Sequence, residues 1–379
     1  MSRPDPLSFL EFFAGGGMAR AGLGPAWRCL FANDFDPLKA RTYRANWGED
    51  DLRVGDVWDL EAADLPGHAD LAWASSPCQD FSLAGARAGL GGGRSSAFFG
   101  FWRLVEALDR QGRAPRAVVL ENVGGLLSSR GGADFAAVCA LLAQRGYRFG
   151  AVEIDAAALV PQSRPRVFVV AARGSVPPGL AGAPGVFHTP AVRQAHDRLP
   201  AALKSLWQWW RLAAPPVRNA RLADLLEPDA AAVWRTEGQT LALLAQMNPL
   251  HRARLDAARA GGERVVAAVY RRIRREGGQR VQRAELRLDG LAGCLRTPGG
   301  GSSRQFLVVA EAGRIASRLL TAREGARLMG LPDHYRLPGS QSAALTVVGD
   351  GVAVPVVRLL SEQLLEPLLL APAAIAAAE

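Results

Sequence analysis

The chain has 379 residues and a mass of 40.3 kDa, which fits one large domain plus a smaller one. Hydrophobic residues make up 49% and charged residues 21%, so a packed core is expected, and global disorder and a disulfide-stapled miniprotein are excluded. The net charge is +9, carried almost wholly by arginine, with only Lys39 and Lys204 as lysines. Between Arg252 and Arg287 eleven arginines face four acids, a local net charge of +7. A basic field of that size suits a polyanion, most simply a nucleic acid.

The four cysteines, Cys29, Cys78, Cys139 and Cys294, stand far apart with no Cys-x-x-Cys pair. No zinc site of the usual spacing is expected, and the chain reads as a reduced, cytoplasmic, soluble protein. Residues 1–10 lack the apolar run of a secretory signal. The most apolar stretch, Leu359 to Ala377, is interrupted by Glu362, Glu366 and two prolines, so no membrane span is expected.

In chain order, Leu7 to Phe13 is an apolar run entering Ala14-Gly15-Gly16-Gly17, the pattern of a strand followed by a tight turn. Trp27 to Ala32 predicts a second strand ending at Asn33-Asp34, and Pro37 to Asn46 a helix. Leu71 to Ala74 predicts a strand leading into Ser75-Ser76-Pro77-Cys78. Ala117 to Leu120 predicts one ending at Glu121-Asn122. Ala133 to Gln144 has helical spacing, and Arg148 to Ile154 and Val167 to Ala171 read as strands. Strands alternating with helices predict a parallel α/β sheet, whose ligands sit beyond the carboxyl ends of the strands. Residues 174–190 read as a Pro/Gly-rich linker. Residues 191–317 read as an arginine-rich, less regular second domain with a tryptophan cluster at Trp207, Trp209 and Trp210. Helical pattern resumes at Thr321, with a last helix from near Val352 toward Leu370.

The polar residues fall at the strand ends. Glycines at the first turn let a ligand approach the backbone, although the six-residue dinucleotide fingerprint is incomplete. Asp34, nineteen residues after Gly15, suits a ribose diol, and Asp56 an adenine amino group. Together they favour a nucleoside-containing cofactor over three ordinary turns. Cys78 is a candidate nucleophile at a strand end, weighed against a small buried hydrophobe. Glu121 reads as an acid or as a cap. Arg164 and Arg166, two apart, would face one side of an extended segment.

The order Phe-x-Gly-x-Gly, Pro-Cys-Gln-x-Phe-Ser, Glu-Asn-Val, Gln-x-Arg-x-Arg resembles the prokaryotic DNA (cytosine-5) methyltransferase family. Residues 320–332 resemble the family's penultimate motif and residues 349–355 its last. The resemblance covers roughly residues 7–173 and 315–368. It implies a Rossmann-like α/β methyltransferase sheet that uses S-adenosylmethionine, with a smaller target-recognition domain. The implied organisation is 1–173 catalytic, 174–317 target-recognising, and 318–379 returning to the catalytic domain.

The resemblance implies Cys78 as nucleophile, Glu121 as partner of the base, and Arg164 and Arg166 as part of the active-site network, Arg164 being the candidate charge that activates the thiol. It implies a cofactor site of Phe13, Gly15, Gly17, Asp34, Phe35, Asp56, Val57 and Pro77, and DNA contacts from Gln79, Ser82, Arg94 and Thr297, with no metal. Double-stranded DNA is the implied partner, with a cognate restriction endonuclease where the enzyme serves restriction and modification; a monomer is expected. Rival readings are an RNA cytosine-5 methyltransferase and an inactive DNA-binding homologue. An amino-group methyltransferase would show Asp or Asn followed by Pro-Pro-aromatic, which does not occur. Two departures stand out. The last motif reads Gly349-Asp350-Gly351-Val352 where Gly-Asn-Ser-Val is common, and Cys294-Leu295, with Thr297 nearby, stands where a Thr-Leu pair is common.

Overall fold

The computed structural model describes residues 5–76, 97–298 and 304–371. Pro77, Cys78, Gln79, Ser82 and Arg94 lie outside the described residues. The chain divides into two compact units: Met1–Asp155, Pro165–Pro215 and Val354–Glu379 form the first, and Ala156–Arg164 with Pro216–Ala353 the second. These divisions fall at other positions than 173/174 and 317/318, where composition changes.

The first unit is built on seven strands: β1 (Leu7–Phe12), β2 (Trp27–Asp34), β3 (Leu52–Val54), β4 (Leu71–Ala74), β5 (Ala117–Asn122), β6 (Arg148–Asp155) and β7 (Pro165–Ala172). Their order is β3-β2-β1-β4-β5-β7-β6. The sheet is parallel except at β7, which pairs antiparallel with both β5 and β6. The sheet is thus predominantly parallel, as expected, with one antiparallel strand. Short connections explain it, since nine residues separate β6 from β7 and a parallel return needs a crossover of a dozen or more.

The strands read as apolar runs because both faces are covered. Leu10, Phe12, Ala72, Ala74, Val118 and Leu120 join one core with Phe98, Phe101 and Val105 of the helix Ala97–Arg110 and Phe135 and Val138 of the helix Ala133–Gln144. The alternate residues Phe9, Leu71, Trp73, Ala117 and Val119 are buried too. The expected Trp cluster lies in this first unit. Trp207 packs edge-on to Phe135 and Phe149, and Trp210 donates Nε1–H to the Val170 carbonyl.

The run Gln341–Leu370 is long and apolar enough to cross a membrane by length and composition alone. It is divided at Gly351 into the helix Gln341–Asp350 and a helical stretch starting at Val354, and Val347, Val348, Val357, Leu360, Leu364 and Leu365 are buried in their own units. Trp27 Nε1 donates to Ser361 Oγ at 2.8 Å, which ties the final stretch to β2.

The second unit is more regular than composition suggested. It holds a four-stranded antiparallel sheet ordered β11-β10-β8-β9, from β8 (Val265–Glu276), β9 (Gln279–Arg287), β10 (Phe306–Glu311) and β11 (Arg314–Leu319). Ala267, Val269, Leu286, Phe306 and Val308 form its core with Leu243, Leu244 and Leu255. Arg318 and Glu324, each 1% exposed in its side chain, form a buried bidentate pair. Burial alone would raise the Glu324 carboxyl, but bonds from Arg318 and from the backbone N–H groups of Thr321 and Glu227 hold it below the usual carboxylate range.

A depressed folded-state pKa contributes stability above the unfolded-state value and loses it as pH falls through the folded one. Glu324→Gln should therefore destabilise the protein by about 3–5 kcal/mol at neutral pH, because it leaves a buried guanidinium without its counter-charge. In urea unfolding, that deficit should shrink as the pH is lowered below the carboxylate range. A deficit independent of pH would assign the loss to packing.

Candidate functional site

The first unit gathers its polar groups at one sheet edge. β1 ends in a turn where Phe13 takes φ 59, Gly15 φ 58 and Gly17 φ 77. A phenylalanine in the left-handed region is a strained position that the surroundings must enforce. Among the described residues, a Cβ at Gly15 would meet no atom within 4 Å, so they leave the space beside the turn open. At Gly17 a Cβ would lie 2.3 Å from Trp47 Nε1, so contact as well as dihedral angle requires glycine there. Trp47 in turn donates Nε1–H to the Gly16 carbonyl at 3.1 Å.

Asp34, at the end of β2, ties the neighbouring strand end to this turn. Its Oδ2 accepts the Gly15 N–H at 2.8 Å and its Oδ1 the Asp36 N–H at 2.9 Å. Burial raises its pKa, against those two backbone bonds and Lys39. A carboxylate offers about four acceptor positions, so two bonds leave capacity for a diol. Next to it Phe35 is 67% exposed, a large apolar ring standing uncovered. Asn33 donates to the carbonyls of Arg53 and Gly55, both at 3.0 Å, and the Gly55 N–H reaches the Asp34 carbonyl. These bonds bring Asp56 beside the end of β2. Asp56 Oδ1 caps the next turn through the Trp58 N–H, and Val57 is a core residue. The structure thus brings Phe13, Gly15, Gly17, Asp34, Phe35, Asp56 and Val57 to three successive strand ends.

Below the turn lies a polar cluster that sequence reading missed. Arg20 pairs with Asp51 at 2.7 Å and donates to Tyr43 Oη at 2.7 Å. Burial pushes the nearby Glu11 carboxyl up to about 8, with Arg20 opposing the shift. Burial also pushes the Cys29 thiol up to about 12 and raises that of the buried Cys139, so neither is an activated thiol.

Glu121 is buried at the end of β5, and Arg166 Nε lies 3.2 Å from its Oε1. The register sets Glu121 opposite Phe168, so Arg166 is its diagonal neighbour on the same face. This meeting needs the antiparallel strand. A parallel β7 would carry its first residues to the opposite sheet edge. Asn122 donates to the Ser76 carbonyl at 3.0 Å and so holds the residue two before Cys78.

Arg164 sits differently. Expected to share one side with Arg166, it donates to groups of the second unit. Nη1 donates to the Leu295 carbonyl at 3.0 Å and to Cys294 Sγ at 3.3 Å, and Nη2 to the carbonyls of Gly349 at 2.9 Å and Gly351 at 2.7 Å. The two segments that depart from the family's usual wording are thus clasped by one guanidinium. A Cβ on Gly349 would lie 2.7 Å from the Arg296 carbonyl carbon and 3.0 Å from the Thr297 nitrogen, so this approach requires glycine. Gln162, which opens the Gln-x-Arg-x-Arg motif without an assigned role, is fully buried. It accepts the Leu295 N–H at 3.0 Å and donates to the Leu328 carbonyl at 2.8 Å. The motif marks the residue but not its role, because both partners lie more than 130 positions away.

A Type II methyltransferase from Neisseria lactamica, M.NlaX, is 27% identical over 370 residues, covering 94% of this chain and 96% of the relative. M.HpaII of Haemophilus parainfluenzae is 26% identical, covering 96% and 90%. Among solved structures, the S. pombe Dnmt2 methyltransferase superposes with a TM-score of 0.62 at 18% identity, covering 96% of this chain and 99% of that one, a likeness of fold. The family model for C-5 cytosine-specific DNA methylase matches residues 7–366, which spans both units and every motif described above. The chain therefore belongs to the C-5 cytosine-specific DNA methylase family.

Proposed function

We propose that this DNA cytosine-5 methyltransferase uses S-adenosylmethionine and a covalent adduct between Cys78 and ring carbon 6 of a flipped-out cytosine. The observation that supports it most is the convergence at one sheet edge of the open glycine turn, the two aspartates and the Glu121–Arg166 pair.

The described residues fit the cofactor: space beside Gly15, spare acceptor capacity on Asp34 for ribose hydroxyls, and the uncovered Phe35 ring for adenine, with Asp56 and Val57 beside them. Pro77, outside the described residues, joins the site on the family resemblance. When bound, S-adenosylmethionine supplies an electrophilic sulfonium methyl group. Carbon 5 of cytosine is a poor nucleophile until the Cys78 thiolate adds to carbon 6, forming the S–C6 bond and moving an electron pair toward nitrogen 3 and carbon 5. Glu121, entering the step as the protonated acid, accepts a hydrogen bond from the exocyclic amine and delivers its proton to nitrogen 3, which stabilises that charge. It is left as the carboxylate that Arg166 pairs with, and takes the proton back when the S–C6 bond breaks. Arg166 fixes the Glu121 carboxyl through its ion pair. Once carbon 5 carries the methyl group, a base removes its proton, the S–C6 bond breaks and aromaticity returns.

Arg164 has a positioning role, holding 294–295 against 349–351. Gln79, Ser82, Arg94 and Thr297 contact DNA, and the basic second unit offsets base extrusion, which costs a few kcal/mol, with phosphate contacts. The enzyme acts as a cytoplasmic monomer on nucleoid DNA, in restriction–modification beside a cognate endonuclease.

Cys78→Ser should abolish methyl transfer, and a duplex carrying 5-fluorocytosine should trap the wild type, because fluorine blocks the final proton removal. Denaturing electrophoresis that shows no cofactor-dependent adduct at a methylated site would remove the covalent mechanism. Glu121→Gln should lower kcat by at least tenfold while duplex Kd stays within about threefold. Equal losses in both would make Glu121 structural. Phe35→Ala should weaken S-adenosylhomocysteine binding about 3–10-fold in calorimetry without lowering Tm, since the ring is exposed. Unchanged affinity would take the ring out of the cofactor site.

A further inference from the structure

The β8–β9 hairpin runs about 20 Å past Val269, the last buried residue of β8, at about 3.3 Å per residue. It turns at Gly277-Gly278, both with positive φ, the two-residue turn that matches strand twist. Its register sorts the side chains onto two faces with opposite electrostatics.

On one face lie Tyr270, Arg272, Arg274, Glu276, Arg283 and Glu285. Each arginine there has a carboxylate partner, with Arg272 and Arg274 sharing one. Arg274 Nε donates to Glu285 at 2.7 Å, Arg272 lies 3.6 Å from the same carboxylate, and Arg283 Nε donates to Glu276 at 2.8 Å. The other face continues from the core residues Val269 and Leu286 through Arg271 opposite Ala284 and Ile273 opposite Gln282 to Arg275 opposite Arg280. Arg271 lies over the Phe306 ring and donates to Gln282 Oε1 at 3.4 Å, which leaves the Gln282 amide NH2 facing outward beside Ile273, Arg275 and Arg280. All four of these outer residues are exposed, Ile273 at 52%. Among the described residues, no carboxylate pairs with Arg275 or Arg280. Like charges directly opposite on a sheet destabilise it, so this pair opposes the fold that carries it.

We propose that the outer end of this face, carrying Arg275, Arg280, Ile273 and Gln282, is the element that reads base edges in the DNA major groove. The proposal rests on the DNA-methyltransferase reading above. A two-stranded ribbon fits the major groove, and the three side-chain types match base chemistry there: arginine forks for guanine, an amide for adenine, an apolar group for the thymine methyl. A clamp on phosphates would need neither an exposed isoleucine nor an amide between its charges. On the opposite face the arginines are already committed to cross-strand carboxylates.

The test compares wild type with R275Q/R280Q and, as a control on the opposite face, R272Q/R283Q. Bound duplexes are selected from a randomised pool, a readout independent of methyl transfer. In parallel, methylated cytosines are mapped by bisulfite sequencing in a host expressing each protein. The wild type and the control should enrich and methylate one motif. R275Q/R280Q should lose at least one position of it, with tenfold or greater loss of discrimination against a single-base change, and its Tm should be unchanged or raised. Two results would overturn the proposal. One is an unaltered motif with affinity falling equally for all duplexes, the salt slope dropping by about two, as expected for two phosphate contacts. The other is equal loss of the motif in both double variants. A wild type that selects a motif but transfers no methyl group would defeat the catalytic reading alone.

Discussion

The pairing of β7 antiparallel to β5 is the constraint on which the rest of the first unit's chemistry depends. It brings the first residues of one strand to the last residues of its neighbour. An acid at a strand end and an arginine forty-five positions later then meet at 3.2 Å. Both are largely buried, and a buried carboxylate without a partner would be costly to keep charged. The ion pair and the strand direction therefore support each other, and Glu121 is held where a base can be presented to it.

The residues immediately before β7 serve the other unit. Gln162 and Arg164 spend side-chain donors on backbone carbonyls from residues 295, 328, 349 and 351. Four orphan acceptors are thereby satisfied by two side chains in a five-residue stretch. Pro165 then begins the strand and Arg166 turns to Glu121. One short motif thus combines fold assembly with site chemistry, and its two arginines are not equivalent despite their spacing.

The second unit shows the opposite economy. Its core is satisfied by a short apolar patch of β8 and β10, and the outer half of β8 and β9 contributes charge rather than packing. A buried Arg318–Glu324 pair anchors the inner end. Exposed pairs of the kind found along the hairpin are individually worth little, so the ribbon's charge pattern bears on what it meets more than on its own stability.

The sequence by itself determined most of the first sheet. Leu71–Ala74 and Ala133–Gln144 form as read, and the other predicted elements of that unit differ by at most two residues at an end, because apolar periodicity and turn residues act locally. It also marked the turn glycines and the acids at strand ends, whose roles follow from dihedral freedom and position. It did not reveal β3, three half-buried residues without a pattern, or the direction of β7, since a strand's direction leaves no periodic trace. Nor could it separate Arg164 from Arg166, or show Gln162, Asn122 and the Glu11–Arg20 cluster as structural. Their partners are distant in sequence, and only the closed sheet brings them within hydrogen-bond reach. The two faces of the arginine hairpin were likewise one basic segment on paper. Tertiary structure decided them, because strand register determines which charges meet a carboxylate and which are left to face outward.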